Sequence, residues 1–151
     1  MEQKSELNNI QKLREATGAG VMECKKALEE AKGDFAAATK IINERGLAQY
    51  AKRAGRETGA GLIESYIHHG RIGVLLDIRA ETDFVVNSDP FRALAHEIAM
   101  HIAAAAPDSV ETLLQQPYIR DESKPVENLV KEVVARVGEN IKVNAFYRLE
   151  L

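Results

Sequence analysis

The side chains best equipped for chemistry in this sequence are a histidine–glutamate group, a lone cysteine and two glycine-rich turns. His96, Glu97 and His101 resemble part of a zinc-protease helix, which carries its two histidines at i and i+4 so that both project from one face. Here they stand five positions apart, about 140° around a helix of ~3.6 residues per turn, and cannot share one ion. His68 and His69 are adjacent in a strand-like run and point to opposite faces. Cys24 lies on one stripe with Val21 and Leu28, the pattern of a buried, inert thiol. The segments Thr17-Gly18-Ala19-Gly20 and Thr58-Gly59-Ala60-Gly61 repeat each other and tempt a phosphate-loop reading. A phosphate loop needs a spaced second glycine followed by Lys and Ser/Thr after a strand, and a dinucleotide fingerprint needs a third glycine. The first segment follows a helical pattern and the second precedes a strand, so both read as turns. With no catalytic or metal-ligating constellation, the chain reads as a non-enzyme that needs no cofactor.

Two stretches fit neither chemistry nor a simple turn. Met22, followed by Lys25, Lys26 and Glu29, lies off the Val21–Cys24–Leu28 stripe and puts an apolar side chain on a charged face. Isolated exposed methionines are common, so chance exposure and partner contact both stay open. In Thr82-Asp83-Phe84-Val85-Val86-Asn87, a large aromatic and two β-branched residues sit beside a carboxylate between a strand and a helix. Phe84 can fold back into the core or meet a partner.

The elements that position these residues follow from periodicity. Leu7, Ile10 and Leu13 recur at helical spacing; Val21, Cys24, Leu28 and Ala31 form a second stripe closed by Gly33; Asp34 is an N-cap for a third helix ending near Gly46. Helices this short bury little, so a bundle of them is only marginally stable at ~25 cal/mol per Å². Residues 47–57 lose the apolar stripe and read as a linker with a helical first half. The period then changes to two. Residues 62–68 and 72–78 are strands joined by the hairpin His69-Gly70-Arg71, and a loop runs from Thr82 to Ser88. Asp89 and Pro90 start a helix with Phe91, Leu94, Ala95, Ile98 and Ile102 along one face. A polar segment runs over 108–124, and Ser123 and Pro125 open a helix that Gly138 stops. A final strand places Ile141, Val143, Ala145, Tyr147 and Leu149 on one face. Segregated strands and helices predict an α+β class, an antiparallel sheet covered by helices. The expected division is a three-helix module over 1–46, a linker over 47–57 and a core over 58–151.

Bulk properties narrow the functional classes. The chain has 151 residues, 45% of them hydrophobic, which suits a globular protein. With 20 Lys+Arg against 23 Asp+Glu and 5% aromatics, no direct nucleic-acid partner is expected. One cysteine excludes an intrachain disulfide framework. The polar first residues and the lack of a long apolar run predict a soluble, cytoplasmic chain without a membrane partner.

The two unexplained stretches also carry a family likeness. Arg14-Glu15-Ala16-Thr17-Gly18-Ala19-Gly20-Val21-Met22-Glu23-Cys24-Lys25-Lys26-Ala27-Leu28, followed by Gly33-Asp34, resembles the N-terminal signature of the elongation factor Ts family. Ala80-Glu81-Thr82-Asp83-Phe84-Val85, continuing to Phe91, resembles its second signature, and Gly138-Glu139-Asn140-Ile141 the start of its final strand. The resemblance covers nearly the whole chain in family order. It implies that the first module is similar to ubiquitin-associated (UBA-like) domains. The implied partner is elongation factor Tu, GDP-bound and nucleotide-free, and the implied activity is guanine-nucleotide exchange. By the same resemblance, Val21, Met22 and Lys25 grip the partner's G domain, and Arg53 holds a position that is often basic. Thr82, Asp83, Phe84 and Val85 form the stretch in which Asp83 and Phe84 push toward the partner's magnesium and phosphate sites.

This chain departs from longer members of the family, which have a two-part core and a coiled-coil insertion. Pro107 leads almost directly into Leu113-Leu114-Gln115-Gln116-Pro117-Tyr118. Short members pair as homodimers, and the same is expected here, with the final strand and the 126–137 helix at or near the contact. Two rival readings stand beside exchange. A UBA-like protein-binding adaptor accounts for the first module but leaves Asp83 and Phe84 unexplained. A small hydrolase using His96 or His68 lacks an activated nucleophile.

Overall fold

Glycines and one aspartate set the boundaries of the first three helices. In the computed structural model, which describes residues 2–151 with side chains from Lys4 onward, these are α1 (Glu2–Thr17), α2 (Val21–Glu30) and α3 (Phe35–Arg53). Gly18 takes the left-handed conformation at φ 70° and donates its N–H to the Arg14 carbonyl at 2.7 Å, ending α1. Gly20 is extended at the start of α2. The first Thr-Gly-Ala-Gly segment is thus a helix stop followed by a helix start. Asp34 caps α3, its Oδ1 accepting from the Ala37 N–H at 3.0 Å. Ile10, Leu13, Cys24, Ala27, Leu28, Ala38 and Ile42 close into one small core.

The third helix is longer than its sequence signals imply. It does not stop at Gly46 but continues through Arg53. Leu, Ala, Gln, Lys and Arg in residues 47–53 propagate a helix well, which offsets the ~1 kcal/mol that an interior glycine costs. The chain divides into two compact units, one up to Lys52 and one from Arg53.

The second unit is mixed. Strands β1 (Ala60–His68) and β2 (Ile72–Ala80) pair antiparallel across a hairpin in which His69 and Gly70 both have positive φ. The remaining elements are α4 (Asp83–Val86), α5 (Asp89–Ala105), α6 (Val110–Gln115), β3 (Pro117–Tyr118), β4 (Asp121–Pro125), α7 (Val126–Val137) and β5 (Ile141–Glu150). The main sheet has the order β1-β2-β5, and β3 and β4 form a separate two-stranded ladder. Helix α5 packs on β1 and β2 and against α7. Its side chains Phe91, Leu94, Ala95, Ile98 and Ile102 are buried, with Val74, Leu76 and Ile78 of β2 also in the core. The fold is α+β.

Several local expectations change. Ser88, not Asp89, is the N-cap of α5, with Asp89 its first residue. The polar 108–124 segment holds α6 and the β3–β4 ladder. Most consequential, β5 does not alternate cleanly. Asp77 pairs with Ala145 and Ile78 with Val143, so Asn144 is an extra residue in β5, and its Nδ2 donates to Asp77 Oδ2 at 2.8 Å. One inserted residue flips every later side chain to the other face. Ile141 and Val143 are buried, but beyond the bulge Phe146 and Arg148 turn inward, opposite Leu76 and Val74. Tyr147 and Leu149 turn outward, at 78% and 73% exposure. With Ile63, Ile67 and Leu75 they form an open apolar patch on the sheet face opposite α5, beside the Asp77–Arg79 ion pair.

Candidate partner-binding site

The stretch from Thr82 is a single helical turn, not the loop expected from sequence. Thr82 is its N-cap in extended conformation, and its hydroxyl accepts from the Val85 N–H at 3.4 Å. Asp83 occupies the first helical position, where a carboxylate faces the positive end of the peptide dipoles. Val85 and Val86 are both at 4% exposure and plug the turn into the core, while Phe84 is 87% exposed. Successive helical residues lie ~100° apart, so seating 85 and 86 inward drives 84 outward. This settles the local choice for Phe84, which does not fold back. It also removes Val85 from the surface open to a partner.

The turn is tied to the segment that precedes β5. Glu139 Oε1 accepts from the Thr82 N–H at 3.0 Å, and Oε2 accepts from the Thr82 hydroxyl at 2.8 Å. In the opposite direction, Glu81 Oε1 accepts from the Asn140 N–H at 2.8 Å and lies 3.6 Å from Arg56 Nη1. Asn140 Nδ2 donates to the Arg56 carbonyl at 2.9 Å and the Ala54 carbonyl at 3.4 Å. Behind the turn, the Ser88 hydroxyl donates to the Val85 carbonyl at 2.6 Å, and Arg92 donates to Asn87 Oδ1 at 3.1 Å. Arg53 Nη1 donates to the Val134 carbonyl at 3.4 Å, near the end of α7.

Within the first unit, Val21 and Met22 are exposed, Met22 at 63%. Lys25 lies 4.0 Å from Glu29 one turn on, a weak exposed pair. Lys25 also edges a groove of about 380 Å³ with Ile10 and Leu28 at its base and Lys32 on its rim. Cys24 is fully buried, and burial raises its thiol pKa above the ordinary value, as expected of an inert core cysteine.

His101 and His96 serve packing, and the exposed His68 meets the Tyr66 hydroxyl at 3.1 Å. His101 is buried; its Nδ1 accepts from the Ile119 N–H at 3.3 Å and its Nε2 faces Gln116 Oε1 at 2.9 Å, so the neutral ring donates there. It stacks on Tyr118, whose hydroxyl donates to Glu97; burial first and Glu97 second push that phenol up to about 12. Glu97 also pairs with Arg120 at 3.2 Å. His96 packs edge-on against Tyr66. The apparent protease group is thus divided between a surface contact and a core pin that fastens β3 to α5.

Sequence reasoning missed Glu139 and Asn140 as braces of the Thr82 turn, because their partners lie 57 to 86 positions away. His101 did carry a signal, its i+3 spacing from Ile98 beside Ile102 on the apolar stripe.

A model of the family described as "Elongation factor TS" matches residues 3–111 and 81–151, so that 81–111 is matched twice. The chain is 38% identical to elongation factor Ts of Fervidobacterium nodosum, over 94% of this chain and 95% of that protein. It is 39% identical to that of Coprothermobacter proteolyticus over 94% and 95% of the two lengths. For Desulforamulus reducens the values are 39%, 94% and 87%. The first alignment spans 188 positions, whereas 94% of 151 residues is about 142, so about 46 residues of that relative face gaps in this chain. With nearly the whole chain matched, and both signature stretches within the match, it belongs to the elongation factor Ts family of translation elongation factors.

Proposed function

We propose that the chain is a guanine-nucleotide exchange factor for elongation factor Tu, using Asp83 and Phe84 to loosen bound GDP. The observation that carries this reading is the 87% exposure of Phe84 on a turn braced from both sides. An aromatic ring left in water by a well-seated turn is costly unless a partner covers it. Such a factor performs no covalent step. It must bind the nucleotide-free partner more tightly than the nucleotide-bound one, and linkage makes nucleotide weaken the factor's binding by the same ratio. Burying Phe84 in an apolar crevice supplies ~1.5–3 kcal/mol, roughly 10- to 150-fold. The remainder comes from Asp83 disturbing magnesium and phosphate ligation and from anchoring by the first unit. There Val21, Met22 and Lys25 give a second, separate contact, and Arg53, at the start of the second unit, adds a cation. Two linked contacts raise effective concentration without either being strong.

In this reading the factor works in the cytoplasm as a homodimer, without nucleic acid. The open apolar face of Ile63, Ile67, Leu75, Tyr147 and Leu149 favours a sheet-to-sheet contact. It includes the final strand, whereas α7 contributes no large exposed apolar side chain. No described helix is long and apolar enough to cross a membrane.

The decisive assay is release of fluorescent GDP from purified elongation factor Tu, with and without catalytic amounts of the chain. Strong acceleration by a species of dimeric mass is the expected outcome. No acceleration by a folded dimer would move the adaptor reading, favoured by exposed Val21 and Met22 beside the α1–α2 groove, to the front. A monomeric mass at micromolar concentration would remove the dimer.

A further inference from the structure

The turn that carries Phe84 is too short to hold itself. A helix of four residues has barely closed its first hydrogen-bonded ring, and nucleation without propagation is unfavourable. Its geometry must come from elsewhere. Valines 85 and 86 give it a floor, but apolar contacts do not fix the rotation of a turn about that floor. Directional bonds do, and among the described residues the side-chain hydrogen bonds that tie its N-terminal end to another element come from the Glu139-Asn140 segment between α7 and β5.

The arrangement is reciprocal. The carboxylate preceding Thr82 accepts the backbone N–H of Asn140, and the carboxylate preceding Asn140 accepts the backbone N–H of Thr82. Glu139 uses its second oxygen for the Thr82 hydroxyl. That hydroxyl therefore points its proton at Glu139 and its lone pair at the Val85 N–H, which orients the cap. Gly138 sits at φ 76° just before Glu139, so α7 ends sharply and aims the next side chain back at the turn.

We infer that Glu139 is a positioning residue for exchange, holding the Thr82 cap so that Phe84 is presented in a fixed direction. It acts through Thr82 and needs no contact with the partner's nucleotide. The inference rests on the exchange reading given above. Two carboxylate oxygens on two donors of one residue restrict the turn more than either bond alone, and preorganisation of this kind is felt where the presented side chain does its work.

The test is GDP release from elongation factor Tu as a function of factor concentration, for the wild type, Glu139→Ala, Glu139→Gln and Phe84→Ala. Glu139→Ala is expected to lower the maximal rate about tenfold, the scale of one charge-assisted bond. The half-saturating concentration should move less than about twofold, since docking by the first unit is untouched. Glutamine keeps one acceptor for the Thr82 N–H and offers its amide N–H₂ to the hydroxyl oxygen, so it should restore the rate to within about threefold. Amide hydrogen exchange at Thr82 is the parallel readout, faster in Glu139→Ala and restored in Glu139→Gln. Equal losses in Ala and Gln variants would show that the charge acts directly on the partner and would overturn the positioning role. An unchanged rate in Glu139→Ala, with Phe84→Ala inactive, would overturn it while leaving the exchange reading intact. If Phe84→Ala exchanges normally, the Phe84 reading fails and the positioning role falls with it.

Discussion

Met22 and Phe84 are both apolar side chains held out to solvent, but the chain holds them by opposite means. Met22 rides on a helix of ten residues whose opposite stripe, Cys24, Ala27 and Leu28, is buried. Its position follows from its own element. Phe84 rides on four residues, and its direction depends on Glu139, 57 positions further along the chain. Among the described residues the first unit accordingly has a small apolar core, whereas the second supplements its core with polar pins: Glu81 to Asn140, Glu139 to Thr82 and His101 to Ile119. A contact that only docks can rest on a helix surface. One that must act at a particular spot needs directional bonds behind it.

Leu13→Ala should produce the largest effect. Leu13 is fully buried in a core of seven residues, and deletion of a buried leucine costs ~2–5 kcal/mol. That is enough to unfold a unit of this size by itself. Limited proteolysis followed across a urea series should show cleavage before Lys52 at low urea while the second unit stays intact. Simultaneous loss of both units would break the comparison, because the small core would then not be an independent element.

Phe84→Ala and Met22→Ala sharpen the functional side of the contrast. The first should slow maximal GDP release by roughly 10- to 150-fold with little change in half-saturation. The second removes a partly buried contact worth ~1 kcal/mol and should weaken docking about fivefold at unchanged maximal rate. Equal losses of rate and affinity in both variants would contradict this division between acting and anchoring.

How much of this was visible in the sequence depends on the range over which each feature is encoded. The three helices, the hairpin and α5 follow from local periodicity and caps, and Asp34 and Gly18 behave as their residue types dictate. The β5 bulge was not visible, since nothing in Ile141-Lys142-Val143-Asn144-Ala145 distinguishes an extra residue from a regular alternation. The extra residue appears only once β2 fixes the register. The residues of the Phe84 turn were legible through family likeness, but its helical form, the burial of Val85 and its brace were not. The type and spacing of Glu139 relative to its neighbours say nothing about Thr82, and only the three-dimensional closure of α7 against the sheet brings them together.

The smallest effect concerns acid, and it tests whether polar pins belong to the second unit alone. All four histidines lie beyond residue 52. Burial holds His101 below its ordinary value of 6.5, opposed only in part by its bond to Gln116. Its other neighbours are the Ile119 N–H, which needs Nδ1 unprotonated, and Tyr118, whose hydroxyl is committed to Glu97. Because the folded state binds this proton less readily than the unfolded one, the unfolded state carries more protons as pH falls below 6.5. The stabilisation is therefore complete above 6.5 and declines as pH drops toward the lower folded value, by no more than about 1.4 kcal/mol per pH unit for a single proton. His101→Gln keeps an acceptor for Ile119 and removes the titration. Denaturation midpoints of the second unit, measured from pH 7 down to about 5, should fall more steeply for the wild type than for His101→Gln. The first unit, whose segment carries no histidine, should not distinguish the two proteins. Parallel curves for the second unit would mean that β3 stays fastened to α5 whether or not His101 is charged, and the pin would then be a packing contact like those of the first unit.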